Sequence, residues 1–176
     1  NTTRDTLLLE LKTAPPAGAV YASWTSASIG ATGTSIVGIH HPAGDAKMYS
    51  LGSVTGLSTS IDGKSPLYRV VWNTGVTEGG SSGSALFTVN SSGTHQLRGG
   101  LYGGLSYCTA PTQPDYYSRF SDVYSSISTY FAVRFSSLHT WRIASVVKMP
   151  WKMLESMMEA AMAGSLESWM KGVCSV

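Results

Sequence analysis

The sequence predicts an all-β protein, and two observations indicate this class. Short runs of β-branched and aromatic residues recur between residues 19 and 102, separated by clusters of Gly, Ser and Asp. Charged residues make up 12% of the 176 residues, about half the usual share, while Gly, Ser and Thr are abundant. This combination is typical of secreted β-proteins with many turns, in which the strands form a sandwich or a barrel.

Six strand-like runs follow a proline-containing linker. The linker spans residues 12–18, where Pro15 and Pro16 cannot donate to a sheet and hold the chain extended. The predicted strands cover residues 19–24, 34–40, 47–54, 68–72, 85–89 and 96–102. Six strands suit one antiparallel barrel. Residues 116–124 are predicted to form a closing strand, and residues 125–131 to begin a terminal helix.

A short apolar run precedes the linker. Residues 6–11 predict a buried strand, and Asp5 at its entrance is of a type that is ordinarily a turn or cap residue. The N-terminal residues lack the pattern of a signal peptide, and no apolar run is long enough to span a bilayer. We therefore expect no targeting segment in this sequence.

Charge and cysteine content exclude several classes of partner. The net charge of +2 is small and the Lys and Arg residues are scattered, so neither nucleic acid nor an anionic membrane surface is indicated. We also expect no metal and no cofactor. Cys108 and Cys174 could pair with each other, yet they lie in segments of very different character.

The segment with the clearest chemical content is a turn rich in glycine and serine, GGSSGSA at residues 79–85. Glycines on both sides of Ser82 permit positive φ, which can turn amide hydrogens toward one point, as an oxyanion-binding loop requires. An α/β-hydrolase turn would need Gly in place of Ser84 and a helix after it, and a phosphate-binding loop would need a Lys. The alternatives are a nucleophilic serine on a β scaffold and a flexible surface turn.

This turn resembles the Gly-x-Ser-Gly nucleophile loop of chymotrypsin-like serine proteases. It resembles more closely the bacterial lysyl endopeptidase branch, in which Ser-Ser-Gly-Ser follows Gly-Val-Thr-Glu, here residues 75–78. Four more motifs of that branch occur in order: Asp-x-x-Leu-Leu-Glu-Leu at residues 5–11, Ile-His-His-Pro at 39–42, Gly-Gly before a cysteine at 103–108, and Asp-x-Tyr-x-Arg at 115–119. The resemblance covers residues 5–131. It implies the second antiparallel β-barrel of the chymotrypsin-like double-barrel fold, together with the last strand of the first barrel.

The resemblance also implies catalytic roles. Ser82 would be the nucleophile, the amides of Gly80 and Ser82 would form the oxyanion hole, and Asp5 would orient the catalytic histidine. In the chymotrypsin order that histidine precedes the aspartate by several dozen residues. We therefore expect the general base, and most of the first barrel, to lie upstream of Asn1, so the missing N-terminal half of the same protease is an expected partner. In the family, the cysteine that matches Cys108 bonds to one near the mature N-terminus.

The resemblance assigns substrate contacts as well. Leu101, Tyr102 and Gly103 would form the edge strand that binds the substrate backbone, although such Gly pairs are also common at β-bulges. Asp115 would be the pocket anion that selects a cationic side chain, or alternatively a turn residue after Pro114. Tyr102 stands where the lysyl branch has a histidine stacked on a tryptophan. The expectation is therefore cleavage after Lys or Arg, with no choice between them.

The histidine pair His40 and His41 permits another arrangement. Asp5, a histidine and Ser82 would follow the order of subtilisin-type enzymes. That fold needs a helix starting at the serine, whereas this sequence predicts a strand there. Structural histidines at a strand end are the alternative. His95 is predicted in a hairpin, and His139 lies beyond the matching region.

The composition changes after residue 131, and the chain divides into three parts: residues 1–12 as a remnant of the first barrel, 13–131 as the second barrel, and 132–176 as a Met-rich tail. From Trp151 the apolar residues of the tail have helical spacing behind Pro150. The polar face carries mixed charge, which weakens a membrane-binding role. A partner-binding helix, a helix packed on the barrel and an unrelated extension remain open.

Three functions remain open at this stage. The first is a secreted serine endopeptidase, present here in part, that forms an acyl-enzyme on Ser82 and acts on proteins or peptides. The second is a non-catalytic module that binds cationic peptides without cleaving them. The third is an inactive truncated product, since a lone barrel would expose the surface that its partner should cover.

Overall fold

Seven strands and one helix form the described part of the chain. The computed structural model describes residues 4–9, 11–13 and 15–132. The strands are β1 (Ser23–Trp24), β2 (Ser35–His40), β3 (Met48–Ile61), β4 (Lys64–Thr74), β5 (Ala85–Val89), β6 (His95–Gly104) and β7 (Asp115–Ser118), followed by helix α1 (Phe120–Ala132). The Met-rich tail from residue 133 onward, with Cys174, lies outside the described residues.

Strands β2 to β7 form a closed ring. Their spatial order is β2-β3-β4-β7-β6-β5, with β5 pairing back to β2, and every neighbouring pair is antiparallel. β1 adds two residues parallel to β6 outside the ring. A ring of this kind removes the free sheet edges that an open sheet would expose. The predicted all-β fold with one antiparallel barrel is confirmed.

The core fills the interior of the ring because the strands alternate inward and outward residues. In β4, Tyr68, Val70 and Trp72 are buried at the period of two that a strand imposes. The inner cluster consists of Ile29, Ile36, Val54, Tyr68, Val70, Trp72, Leu86, Leu101 and Tyr117. Leu86 of β5 belongs to it, whereas its neighbour Phe87 faces the outside of the barrel and packs under α1.

The longest hairpin extends further than the sequence predicted. β3 continues to Ile61 and β4 begins at Lys64. Asp62 and Gly63 join the two strands with φ of 50° and 71°. Positive φ at both central residues is what a two-residue type I′ turn requires. The prediction ended the strands early because the Gly, Ser and Thr residues of β3 do not show the apolar pattern of a strand.

Two predicted strands differ from the structure. The strand predicted over residues 116–124 ends at Ser118, and α1 begins at Phe120. Phe120, Val123 and Tyr124 recur at helical spacing and pack on the outer face of the barrel, so the aromatic content reflected a helix. The strand predicted over residues 6–11 is also wrong for its described part, because residues 6–9 pair with no described strand. A strand needs a hydrogen-bonded neighbour.

Strand β1 is shorter than predicted and packs against α1. Of the run predicted over residues 19–24, only Ser23–Trp24 is a strand. The ring of Trp24 contacts Phe120, Tyr124 and Phe131 with centroid distances of 5.7, 5.3 and 5.2 Å, which attaches β1 to α1.

No helix in the described part of the chain has the length and apolar character that crossing a membrane requires.

Candidate active site

The serine-rich loop consists of two consecutive β-turns. The Ser81 amide donates to the Glu78 carbonyl at 2.9 Å, and the Ser84 amide donates to the Ser81 carbonyl at 3.0 Å. Gly80 and Gly83 are the third residues of these turns, with φ of 97° and 80°. Positive φ at the third position is what a type II turn requires. The second turn therefore presents Ser82 at its tip, where the residue is exposed.

Contacts on both sides fix this loop. On one side the Ala43 amide donates to the Gly79 carbonyl at 2.7 Å, and a Cβ on Gly80 would approach the His41 carbonyl oxygen to 3.2 Å. On the other side the Gly83 amide donates to the Leu101 carbonyl at 2.6 Å. Ser82 is thus held between the short 3₁₀ helix at Pro42–Gly44 and strand β6.

An open strand edge begins beside Ser82. The pairing of β5 with β6 ends at Ala85 and Gly100, after which Leu101 exchanges hydrogen bonds with Gly83 and Ser84. Beyond this point Gly103 and Gly104 pair with β7, and Tyr102 forms a bulge. No described residue pairs with residues 102–104 on the β5 side. An extended peptide can add to such an edge through main-chain hydrogen bonds. The structure therefore brings Leu101, Tyr102 and Gly103 next to the Ser82 turn.

Asp115 at the start of β7 is completely buried, with 0% of its surface exposed. Its Oδ2 accepts from Trp72 Nε1 at 2.6 Å, Thr77 Oγ1 at 2.6 Å and Ser106 Oγ at 2.7 Å, and its Oδ1 accepts from the Ser106 amide at 3.2 Å. All these donors are neutral, and no ion pair among the described residues involves this carboxylate. Asp115 is therefore a buried carboxylate without a cationic partner in the described structure.

Some of these groups connect the segment before the serine-rich loop with the segment after β6. The Thr77 amide donates to Ser106 Oγ at 3.1 Å, and the Cys108 amide donates to Glu78 Oε1 at 3.3 Å. Cys108 is also disulfide-bonded. Residues 76–80 and 105–108 are therefore held together, with Asp115 between them.

A second buried polar cluster lies directly behind the loop, around His40. The imidazole is 1% exposed, and its Nδ1 lies 2.9 Å from Ser81 Oγ while its Nε2 lies 3.0 Å from Ser50 Oγ. Burial, and secondarily the charge of His41, lowers the pKa of His40 to about 4. The imidazole is therefore neutral near pH 7.

The structure does not bring Asp5 into contact with Ser82. Asp5 has φ of 45° and is partly exposed, and its neighbour Arg4 forms an ion pair with Asp122 in the first turn of α1 at 3.0 Å. Among the described residues no hydrogen bond joins Asp5 or any histidine to Ser82. His41 instead contacts the backbone carbonyl of Asp45. The role predicted for Asp5 stays a prediction.

The sequence does not predict the buried hydrogen bonds of five polar residues: His40, Ser50, Thr77, Ser81 and Ser106. His40 is predicted either as one of two structural histidines at a strand end or as a candidate histidine of a subtilisin-type order. Its partners Ser50 and Ser81 are 10 and 41 residues away, so no local pattern marks the cluster. The signals present were a histidine in an otherwise apolar strand and a second serine in the nucleophile turn. No group of three or more His, Cys, Asp or Glu that could hold a metal occurs among the described residues.

Comparison with known proteins identifies the family. The family model described as "Lysyl endopeptidase, C-terminal domain" matches residues 1–118. The lysyl endopeptidase of Pseudomonas aeruginosa strain PAO1 is 58% identical over 131 residues, which is 73% of this chain. The match spans 28% of the length of that relative. A crystal structure of Rv3671c from M. tuberculosis H37Rv, an inactive serine-to-alanine mutant, matches with a TM-score of 0.44 at 15% identity over 64% of this chain and 54% of that one. The chain belongs to the family of the lysyl endopeptidase C-terminal domain, and so to a family of serine endopeptidases.

Proposed function

We propose that this chain supplies the nucleophile and the substrate-binding surface of a serine endopeptidase that cleaves after Lys or Arg. The observation that carries the proposal is the exposed Ser82 at the tip of a glycine-flanked turn, next to the open edge of β6. In this reaction Ser82 Oγ loses its proton to a general base and attacks the carbonyl carbon of the scissile bond. The C–N bond breaks, the amine product leaves with the proton returned by the base, and an acyl-enzyme remains. Water then hydrolyses the acyl group and releases the product.

The amides of Gly80 and Ser82 are suited to bind the oxyanion. The amides of Ser81 and Ser84 donate within the loop, and that of Gly83 donates to Leu101 of β6. Those of Gly80 and Ser82 donate to no other described residue, so both remain available to a ligand. Two preorganised amides beside the nucleophile stabilise the negative charge that develops on the substrate oxygen.

The general base belongs to sequence outside this chain in our proposal. None of His40, His41 and His95 contacts Ser82, and His139 lies outside the described residues. A histidine from the remainder of the protease would take the Ser82 proton, and Asp5 would orient that histidine.

Specificity for a basic side chain would come from Asp115. Its neutral hydrogen-bond donors satisfy the oxygens but supply no compensating cation. A bound lysine or arginine side chain would provide that charge, whereas a neutral side chain would leave it unpaired. Because Asp115 is fully buried, the cationic side chain would have to reach it past the residues that cover it. The structure favours neither Lys nor Arg.

Secretion is part of the same proposal. The similarity to a lysyl endopeptidase supports it, and a disulfide at Cys108 would persist in an oxidising compartment. A protease that acts on proteins or peptides outside the cell would keep this bond.

The test is hydrolysis of peptide substrates by the full-length gene product, or by a chimera in which the N-terminal part of the P. aeruginosa relative precedes Asn1. We expect cleavage after Lys and Arg, and Ser82→Ala should lower kcat by on the order of 10⁶-fold because it removes the nucleophile. The matched control is Ser91→Ala, an exposed serine in a different turn, which should retain full activity. Unchanged hydrolysis by Ser82→Ala would contradict the proposal.

A non-catalytic peptide-binding module is the second candidate, favoured by the absence of a histidine contact to Ser82 within the described residues. In that case the open edge of β6 would bind a cationic peptide with no turnover in any form of the protein. Binding of an arginyl peptide, measured by calorimetry alongside hydrolysis, separates the two functions. Loss of a cooperative thermal transition in circular dichroism would instead indicate an inactive truncated product.

A further inference from the structure

A continuous chain of hydrogen bonds runs behind the nucleophile loop. The Glu78 amide donates to Ser81 Oγ at 3.2 Å, and Ser81 Oγ lies 2.9 Å from His40 Nδ1. His40 Nε2 lies 3.0 Å from Ser50 Oγ, which donates to the Val76 carbonyl at 3.0 Å. The side chains of Ser50 and Ser81 are 0% exposed and His40 is 1% exposed, so water does not share these bonds.

The direction of each hydrogen bond follows from proton counting. Ser50 has one hydroxyl proton and gives it to Val76, so it must accept from His40 Nε2–H. A neutral imidazole carries a single N–H, so Nδ1 is the acceptor for the Ser81 hydroxyl proton. A charged imidazole would donate through both nitrogens and leave the buried Ser81 proton without an acceptor. The cluster therefore requires the neutral Nε2–H tautomer.

Ser81 controls the orientation of the residue that follows it. Its amide closes the first turn of the loop and its carbonyl closes the second, so both of its peptide planes are fixed by hydrogen bonds. The peptide plane between Ser81 and Ser82 also carries the Ser82 amide. A rotation of Ser81 would therefore move both that amide and the adjoining hydroxyl of Ser82.

We propose that His40 is the positioning residue of the nucleophile loop, acting through Ser81 to fix the Ser82 amide and hydroxyl in their reactive orientation. This inference rests on the proposed endopeptidase function. An apolar side chain in the same buried place on β2 would fill the space but would not orient the Ser81 hydroxyl. His40 touches no reacting atom in this role.

Two variants at position 40 separate positioning from packing. Asn can place an amide oxygen near the location of Nδ1 and keep the acceptor for Ser81, whereas Gln can place its amide nitrogen near Nε2 and keep only the donor to Ser50. Both lose the imidazole ring, and Asn leaves the larger space, so a smaller loss of activity in His40→Asn cannot come from better packing. In the full-length protein or chimera, His40→Gln should lower kcat about 100-fold with KM changed less than about 2-fold, because misplacement of the nucleophile affects the chemical step. His40→Asn should keep kcat within about 5-fold of the wild type.

Equal kcat losses in the two variants, or a larger loss in His40→Asn, would overturn the inference. A second measurement does not depend on the variants: the ¹⁵N spectrum of the histidine side chains in the full chain should show His40 as the Nε2–H tautomer, and the Nδ1–H tautomer would overturn it as well. Ser82→Ala is assayed in parallel. If Ser82→Ala abolishes hydrolysis while His40→Gln retains the wild-type kcat, only the positioning role fails. If Ser82→Ala stays active, the proposed function fails.

Discussion

Asp115 and Ser82, two residues of the proposed site, occupy opposite environments. Ser82 is exposed on a turn tip, whereas Asp115 lies at the start of β7 with no exposed surface and several neutral donors around it. Placing a carboxylate in such a site costs free energy that hydrogen bonds only partly offset. In the proposed function, the compensating cation arrives with the substrate.

Asp115→Asn is the residue-scale prediction. The amide has nearly the same shape but no charge, so kcat/KM for substrates with Lys or Arg before the scissile bond should fall roughly 10²–10³-fold. A substrate with Leu at that position should be cleaved at an unchanged or higher rate. The measurement is a comparison of kcat/KM for the three substrates in the full-length protein or chimera. A uniform loss across all three would instead assign Asp115 a purely structural role in joining Thr77 to Ser106.

The sequence identified some of the site residues and not others, for a physical reason. Ser82 and its glycines form a local pattern, because a tight turn depends on adjacent residues. The partners of His40 come from β3 and from the loop before β5. Those of Asp115 come from β4, from the segment after β4 and from the segment after β6. Such clusters depend on tertiary packing, which no spacing within one segment reveals.

Strand β6 approaches β7 closely at its C-terminal end, and this contact is made possible by glycine. A Cβ on Gly104 would overlap the carboxylate and the Cα of Asp115, whereas a Cβ on Gly103 would meet no atom within 4 Å. The two neighbouring glycines therefore have different roles, although the sequence shows only a Gly-Gly pair. Gly104 allows the pairing with Asp115 that completes the ring.

Gly104→Ala should accordingly destabilise the fold and Gly103→Ala should not. We expect the added methyl at position 104 to cost about 1–3 kcal/mol of unfolding free energy, as overpacking usually does. Gly103→Ala is the matched control and should change stability by less than about 0.5 kcal/mol or raise it slightly, because alanine restricts the unfolded chain. Urea unfolding followed by circular dichroism measures both. Equal effects of the two substitutions would show that β6 and β7 are not in close contact at Gly104.

The sequence predicts an element well where a local pattern determines it. It predicts an element poorly where packing or strand pairing determines it. β5 matches its predicted span of residues 85–89, because its turn signals and apolar run coincide. The helix α1 was placed five residues late, because Phe120 and Tyr124 are as typical of strands as of buried helix faces. Residues 6–9 have strand composition but no sheet neighbour among the described residues, so composition alone misled the prediction.

The whole barrel depends on contacts between segments that are distant in sequence. The all-β class follows from the pattern of short runs and turns. The strand order β2-β3-β4-β7-β6-β5 does not, because paired strands such as β4 and β7 are separated along the chain by other strands. The His40 cluster adds a further long-range connection, from β2 to β3 and to the nucleophile loop. Its protonation is therefore coupled to the stability of the entire ring.

The unfolding free energy should consequently depend on pH through His40. Its pKa is lowered from 6.5 to about 4 by burial in the folded chain. Well above pH 6.5 the imidazole is neutral in both states and makes no pH-dependent contribution. As the pH falls from 6.5 toward 4, the unfolded chain binds a proton that the folded chain excludes, so stability declines by up to about 1.4 kcal/mol per pH unit and by about 3 kcal/mol in total.

Urea unfolding of the 176-residue chain at several pH values between 7 and 4.5 measures this slope. His40→Asn has no titrating ring and should remove the part of the decline that lies above pH 5, where few carboxylates take up protons. His95→Gln, at an exposed position, is the matched control and should keep the wild-type slope. If the slope survives in His40→Asn, the pH dependence comes from other groups, because this variant has no imidazole at position 40.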